Sequence, residues 1–247
     1  MTEPEIQQGR ECCLFLDIDG TLLDIAPTPH DVHVDESLRA LLRRVERACD
    51  GALALVSGRT ISDIDELFDP LYLPVAGVHG CERRDGHGYW RRECDRSPAF
   101  VAFCETLRAA VGSIEGVLLE DKDCGVALHY RLRPQMQDAL RRTLERLAPA
   151  IPATHVLLEG DEVIEVKPSA CDKGSAVESF LSETPFAGRF PIFIGDDVTD
   201  RDGFDAVRRR GGLAVAVGRN VHSEWQLADP GAVRRWLAAF IATRTAE

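Results

Sequence analysis

The apolar positions of this chain form short runs and helical stripes that alternate along most of its length. Residues 14 to 22 read Leu-Phe-Leu-Asp-Ile-Asp-Gly-Thr-Leu, the pattern of a buried strand that stops at a turn. A loop with Pro27 and Pro29 follows. Leu38, Leu41, Leu42, Val45 and Cys49 then mark one face of a helix, with Asp35 as its N-cap. Ala52 to Val56 is a short apolar strand that stops at Ser57-Gly58-Arg59, and a helix runs on from about Thr60. Leu73 to Val78 is the next strand, ending at His79-Gly80. This βαβαβ order predicts a parallel sheet with helices on its faces.

The middle of the chain changes pattern. Phe100, Phe103, Cys104, Leu107 and Val111 recur at helical spacing within 98–113, and extended segments follow at 117–121 and 124–131. A second helix over about 135–148 carries Met136, Leu140, Leu144 and Leu147, before further extended segments at about 155–159 and 162–166. Helix, two strands, helix, two strands is an α+β arrangement. We therefore read 86–165 as an inserted domain between two parts of one core, 1–85 and 166–247. The α/β alternation resumes with a helix from Lys173 to Leu181, a strand from Phe190 to Ile194, a helix from Thr199 to Arg209 and a strand from Leu213 to Val217. Asp229-Pro230 opens a last helix whose apolar face is Val233, Trp236, Leu237 and Phe240.

Composition narrows the class of partner. With 45% hydrophobic and 28% charged residues a sizeable core is possible and disorder is not expected. A net charge of −12 argues against nucleic acid or an anionic membrane as partner, and requires a local cluster of cations for any anionic substrate. The start, Met1 to Arg10, is polar and carries no secretory pattern, and no apolar run approaches a membrane span, so a cytoplasmic location is expected. Cys12, Cys13, Cys49, Cys81, Cys94, Cys104, Cys124 and Cys171 include no Cys-x-x-Cys pair, and we expect all of them to be reduced, small buried hydrophobes. His30 and His33 lie in a Pro-containing loop and read as loop histidines rather than metal ligands.

Four polar stations stand at strand ends or helix starts. They are Asp17 with Asp19, Ser57, Lys173, and the run Gly195-Asp196-Asp197-Val198-Thr199-Asp200. Taken singly, Ser57 reads as an N-cap, Lys173 as a solvated cation and the later acids as capping groups. Together, a parallel sheet gathers them at the carboxyl ends of its strands, where α/β proteins bind ligands. Alternation along the first strand sends Asp17 and Asp19 to one side. Acids crowded into a dry cleft are costly unless a metal or a reaction uses them.

These motifs, in this order, resemble the haloacid dehalogenase superfamily. Gly51-Ala-Leu-Ala-Leu-Val-Ser-Gly-Arg59, Gly77-Val-His-Gly80, Glu82-Arg-Arg-Asp85, His129-Tyr-Arg131, Glu165-Val-Lys-Pro168 and Gly195-Asp-Asp-Val-Thr-Asp-x-Asp-Gly-Phe204 are similar to the trehalose-6-phosphate phosphatase family within it. The likeness runs from about residue 12 to 240. It implies an α/β fold, a doubly wound parallel-sheet core with a smaller α+β cap of the C2 type, and Mg²⁺-dependent hydrolysis of trehalose 6-phosphate through an aspartyl-phosphate. It assigns Asp17 as nucleophile and Asp19 as acid and base, with Ser57 and Lys173 on the phosphoryl oxygens. The Mg²⁺ ligands would be the Asp17 side chain, the Asp19 backbone carbonyl and Asp196, with Asp200 behind them. Arg59, His79 and Gly80 would bind substrate, and the cap's Glu120, Lys122, Arg131 and Glu165 the sugar. Where the family often has a Lys after the Gly preceding the Glu-x-Lys-Pro strand, this chain has Gly160-Asp161.

The chemistry agrees with those roles. A carboxylate is ionised at neutral pH and can attack phosphorus without a base, and Mg²⁺ is a hard cation suited to carboxylate and phosphate oxygens. The expected partner is a small sugar phosphate, with no nucleic acid or membrane and a monomer favoured. The rivals are a related phosphatase acting on sucrose phosphate or another glucosyl phosphate, a phospho-receiver that signals without turnover, and a binding protein on an inactive scaffold. A receiver needs neither Asp19 nor a cap, and an inactive scaffold is expected to lose Asp17.

Overall fold

The computed structural model describes residues 10–94 and 96–244. In chain order it contains β1 (Cys12–Leu16), α1 (Glu36–Ala48), β2 (Leu53–Val56), α2 (Ile61–Phe68), β3 (Val75–Gly77), β4 (Glu82–Arg84) and β5 (Trp90–Arg92). Next come α3 (Pro98–Val111), β6 (Leu118–Asp121), β7 (Val126–His129), α4 (Gln137–Leu147), β8 (His155–Gly160) and β9 (Val163–Pro168). The chain closes with α5 (Lys173–Leu181), β10 (Phe190–Gly195), α6 (Arg201–Arg209), β11 (Leu213–Val217), β12 (Trp225–Leu227) and α7 (Pro230–Ala242). Two compact units form: the described parts of Met1–Ile25, Val32–Arg91 and Asp172–Glu247, and Ala26–Asp31 with Arg92–Cys171.

Among the described residues the first unit is built on a sheet of order β12-β11-β10-β1-β2-β3-β4-β5. From β12 to β3 the pairings are parallel, and β4 runs antiparallel to β3. β1 is fully apolar and buried on every residue, as a strand covered on both faces must be. It lies where the strand order reverses, with β2 on one side and β10 on the other. That is the crevice in which open α/β sheets bind ligands. The registers Leu16↔Leu55 and Leu16↔Ile194 bring the ends of these three strands level, which sets the polar stations side by side.

Helix ends follow their sequence signals. The Asp35 side chain accepts the Leu38 N–H at 2.8 Å and opens α1, which buries Leu38, Leu42 and Val45. Arg234 of α7 bonds the same carboxylate at 2.7 Å, tying two helices together. Thr60 caps α2, whose first N–H, on Ile61, donates to the buried Glu82 carboxylate at 3.0 Å. Each such cap is worth about 1 kcal/mol. One strand and one helix differ in their bounds from the sequence reading. The strand read as Leu73 to Val78 is Val75–Gly77, and it stops short of Val78 because Val78 and His79 take φ of 47° and 55°, outside the extended region. Residues 198–200 form a 3-10 turn before α6 begins.

In the second unit α3 and α4 pack on one face of an antiparallel sheet of order β6-β7-β9-β8. Phe100, Phe103, Leu107, Leu140 and Leu144 meet Val126, Leu128, Ile164 and Val166 there. One expectation fails in this unit. Cys94 and Cys124 are joined by a disulfide, not reduced: the turn after β6 and the segment before α3 bring their Cα atoms to 6.1 Å, within bonding range. Cys81 and Cys171 are disulfide-bonded as well, against the same expectation, whereas Cys12, Cys13, Cys49 and Cys104 are free and buried as expected.

Candidate active site

The first acid pair lies just beyond β1. The backbone leaves the strand at Asp17, whose N–H still donates to Ile194 O at 3.0 Å, and turns at once, with Ile18 O accepting N–H groups of Thr21, Leu22 and Leu23. Because the strand ends at Leu16, simple alternation no longer governs the two acids, and their carboxylates find different cations. Asp17 Oδ1 accepts from Lys173 Nζ at 2.7 Å. Asp19 is held in a bidentate pair by Arg59, Nε to Oδ2 at 2.7 Å and Nη2 to Oδ1 at 2.8 Å. This fork geometry fixes the orientation of the Asp19 carboxylate.

Lys173 is the first residue of α5. Asp172 caps that helix by accepting the Ser175 N–H at 2.6 Å, and this sets the direction in which Lys173 leaves the backbone. A cation at a helix N-terminus opposes the macrodipole, and burial adds to the cost. Two carboxylates offset both. Besides Asp17, Asp200 Oδ1 accepts from Nζ at 2.6 Å. Burial by itself lowers the Lys173 pKa, but Asp17 and Asp200 outweigh it and hold the ammonium above its ordinary range. The other Asp200 oxygen accepts the backbone N–H groups of Asp196 and Asp197, each at 2.9 Å. Asp200 therefore shapes the loop after β10 and positions the lysine at once.

That loop delivers Asp196. The Thr21 hydroxyl donates to Asp196 Oδ1 at 3.0 Å and lies 3.4 Å from Asp17 Oδ2, bridging the two acids. Thr21 earned no role from sequence beyond its place in the turn. Two glycines make the approach possible. Gly20 has φ of +83°, and a Cβ there would lie 2.1 Å from Asp196 Oδ2. A Cβ on Gly195 would lie 2.3 Å from Asp200 Cγ.

Asp17, Asp196 and Asp200 each bring an oxygen to within 4.8 Å of the others, all three buried. Burial, and then the neighbouring Asp200 and Asp196 carboxylates, push the Asp17 pKa well up against the opposing pull of Lys173. Burial and Asp200 push Asp196 up to about 7. With all three carboxylates ionised against one ammonium the cluster would carry an excess of two negative charges, so burial keeps protons on Asp17 and Asp196 unless a divalent cation takes their place. Clustered hard oxygen donors of this kind fit a divalent metal cation.

Ser57 and His79 line the next strand ends. Ser57 is buried after β2, with its hydroxyl accepting the Arg59 N–H at 3.2 Å. Val78 donates to Arg59 O at 2.8 Å and His79 to Ser57 O at 2.9 Å, so the Ser57-Gly58-Arg59 and Val78-His79-Gly80 segments form one unit. Gly58 leaves room for the His79 ring, which a Cβ would approach to 2.8 Å. Val78 and His79 have positive φ, local strain of the kind that gathers at functional sites, and Gly80 continues the turn without that cost.

In the second unit Glu120, Lys122, Glu165 and His129 stand on the sheet face opposite α3 and α4. The register Glu120↔Ala127↔Glu165 aligns the two acids across the small Ala127. Lys122 pairs with Glu165 and lies 3.8 Å from Glu120 Oε2, which His129 Nε2 also meets at 2.6 Å. Burial pushes Glu120 up, but Lys122 and His129 bring its pKa below the ordinary value. His129 was quoted only as part of a motif, and nothing in the sequence announced its pairing with Glu120. Arg131 lies past β7 and is engaged by the β8–β9 turn, at Asp161 O (2.8 Å), Asp161 Oδ2 (3.1 Å) and Glu162 Oε2 (3.1 Å).

A buried Asp–Lys–Asp cluster at the switch point of a doubly wound sheet, with a second acid held beside it and an inserted α+β unit, defines a haloacid dehalogenase-type phosphohydrolase. Comparison with known proteins narrows this. A model of the family described as trehalose-phosphatase matches residues 15–233. A probable trehalose-phosphate phosphatase of Sinorhizobium fredii is 45% identical over 205 residues, 83% of this chain and 77% of that protein. Trehalose-6-phosphate phosphatase of Escherichia coli is 39% identical over 243 residues, covering 96% and 90%. A solved trehalose-6-phosphate phosphatase related protein superposes with a TM-score of 0.78 at 27% identity, covering 93% of this chain and 97% of that one. The chain belongs to the trehalose-phosphatase family.

Proposed function

We propose that this protein hydrolyses trehalose 6-phosphate to trehalose and inorganic phosphate. The observation that carries the reading is the buried cluster in which Lys173 bridges Asp17 and Asp200 while Thr21 links Asp17 to Asp196. The substrates named for the relatives supply the sugar.

In this reading an Asp17 oxygen attacks phosphorus and the bond from phosphorus to the sugar oxygen breaks. Asp19, oriented by Arg59, gives its proton to that oxygen. The aspartyl-phosphate so formed is an acyl phosphate. Asp19 then takes a proton from water as the water oxygen attacks phosphorus, and Asp17 is restored. Ser57 and the Lys173 ammonium hold the non-bridging oxygens as charge moves onto them. Asp17, Asp196 and the Asp19 backbone carbonyl would hold Mg²⁺, which supplies the positive charge that lets a phosphoryl dianion approach this acidic cluster. Asp200, with both oxygens committed to Lys173 and backbone N–H groups, positions these groups rather than binding the metal. Glu120, Lys122, Arg131 and Glu165 would bond the sugar hydroxyls, for which paired carboxylates and cations provide directed acceptors and donors. His79 and Gly80 would contribute on the substrate side of Ser57.

The test is phosphate release from a panel of sugar phosphates and p-nitrophenyl phosphate, with Mg²⁺ and with EDTA. Trehalose 6-phosphate should be turned over fastest, and only with Mg²⁺. Preference for another glucosyl phosphate would move the substrate assignment and leave the phosphatase assignment standing. Full activity after chelation would overturn the metal reading.

A further inference from the structure

We propose that Asp161 is a positioning residue for sugar recognition, acting through Arg131. The inference rests on the sugar-phosphatase reading above and names a residue that reading leaves without a role. Gly160 and Val163 are the last register pair of the β8–β9 hairpin, so Asp161 and Glu162 are its two-residue loop. Both loop residues turn their acids onto one guanidinium. Arg131 Nη2 donates to the Asp161 carbonyl at 2.8 Å and lies 3.1 Å from its carboxylate, and Nη1 lies 3.1 Å from Glu162 Oε2. The backbone joins the same arrangement, since the Tyr130 N–H donates to Glu162 O at 3.0 Å.

Glu162 reaches this position with φ of 58°, a left-handed conformation in a residue that does not favour it. A hairpin that needs only to turn has no reason to place Glu there, so the strain accompanies a purpose for the side chains. A guanidinium has five N–H donors. The turn takes at most three, which leaves Nε–H and one Nη1–H in fixed directions among the described residues. Arg131 is thereby converted from a swinging cation into a preset pair of donors. One guanidinium between two carboxylates carries a net negative charge. It suits an uncharged, hydroxyl-bearing ring and repels an anionic one, so the glycosyl group it helps to select is neutral.

The experiment is a double-mutant cycle on the full chain with Mg²⁺, using Asp161→Ala, Arg131→Ala and both together. Trehalose 6-phosphate and p-nitrophenyl phosphate are the substrates, and trehalose is the competing product. We expect Asp161→Ala to raise KM for trehalose 6-phosphate and Ki for trehalose about tenfold, the scale of one charge-assisted hydrogen bond. Its kcat, its rate with p-nitrophenyl phosphate and its thermal midpoint should stay near those of the parent. Asp161→Glu should recover most of the loss. In the Arg131→Ala background the Asp161 substitution should add nothing further, because residues acting as one unit are not additive. An unchanged KM in Asp161→Ala, or a full extra loss on top of Arg131→Ala, overturns the proposal. If the parent protein prefers another sugar phosphate, the substrate reading fails separately, and the same cycle on that substrate decides the role of Asp161.

Discussion

Replacing Lys173 by Met tests the electrostatic account of the site most directly. Met keeps much of the volume, so the main loss is one buried positive charge in contact with Asp17 at 2.7 Å and Asp200 at 2.6 Å. At an effective dielectric of 20, each contact is worth about 6 kcal/mol before desolvation is subtracted. Most of that gross value is offset by the burial of the ammonium itself. What remains on truncating one partner of a buried pair is typically about 3–5 kcal/mol, because the carboxylates stay behind without compensation. For a domain of this size that is a fall of roughly 6–20 °C in thermal midpoint. The assay is thermal unfolding in EDTA, with phosphate release measured in parallel. Activity should disappear in the variant. Mg²⁺ should raise the midpoint of the variant more than that of the parent, since it supplies the charge the variant lacks. Adding Asp200→Asn, which keeps an oxygen for the Asp196 and Asp197 N–H groups, should recover part of the lost stability. A Lys173→Met protein as stable in EDTA as the parent, or a double variant with no recovery, would refute the reasoning.

The pH dependence of stability should change with metal. In metal-free protein Asp196 keeps its proton up to about pH 7, while the unfolded chain releases it near 3.8. The folded state binds more protons in that interval, so this group makes stability fall as pH rises from about 4 to about 7, by up to ~4 kcal/mol. Mg²⁺ should flatten the trend, and midpoints measured with EDTA and with Mg²⁺ that run parallel across this range would contradict it. Asp19→Asn should keep metal binding through its backbone carbonyl yet lower turnover by ~10²-fold or more, the usual worth of a general acid; isothermal titration with Mg²⁺ separates the two effects. Gly20→Ala should push Asp196 aside, given the 2.1 Å approach of its Cβ, and raise the Mg²⁺ requirement together with a loss of rate. Ordinary kinetics in that variant would show that Asp196 has room to yield.

Local chemistry was legible in the sequence where a residue acts on its own neighbourhood. Asp35 and Asp229 cap helices as their positions predict, and Lys173 opens α5 where the apolar pattern restarts. A parallel sheet with helices on its faces was readable because apolar runs alternate with helical stripes, although the order of its strands was not. β4, β5 and β12 were not, since three residues carry no period. Pairings over long separations were also hidden. Nothing near Arg59 announces that its guanidinium closes on Asp19, and nothing near Asp161 announces Arg131. The bonding of Cys81, Cys94, Cys124 and Cys171 was missed because composition speaks for a chain as a whole, whereas bond formation depends on particular Cα positions.

The place of β1 between β2 and β10 has a consequence for synthesis. The ribosome delivers β1 and β2 early, but the other flank of β1 is covered only when residues 190–195 emerge. Until then a wholly apolar strand presents an unpaired edge, the feature most prone to join a neighbouring chain. Asp17 meets Lys173 only after a similar delay and Asp196 and Asp200 later still, so a chain stopped before β10 has neither the full charge cluster nor the second flank of its central strand. Chains stopped after Arg189 should aggregate where chains continued through α7 stay dispersed, which sedimentation of the two can show. The interval between making β1 and making β10 is then the span over which this protein most needs a chaperone.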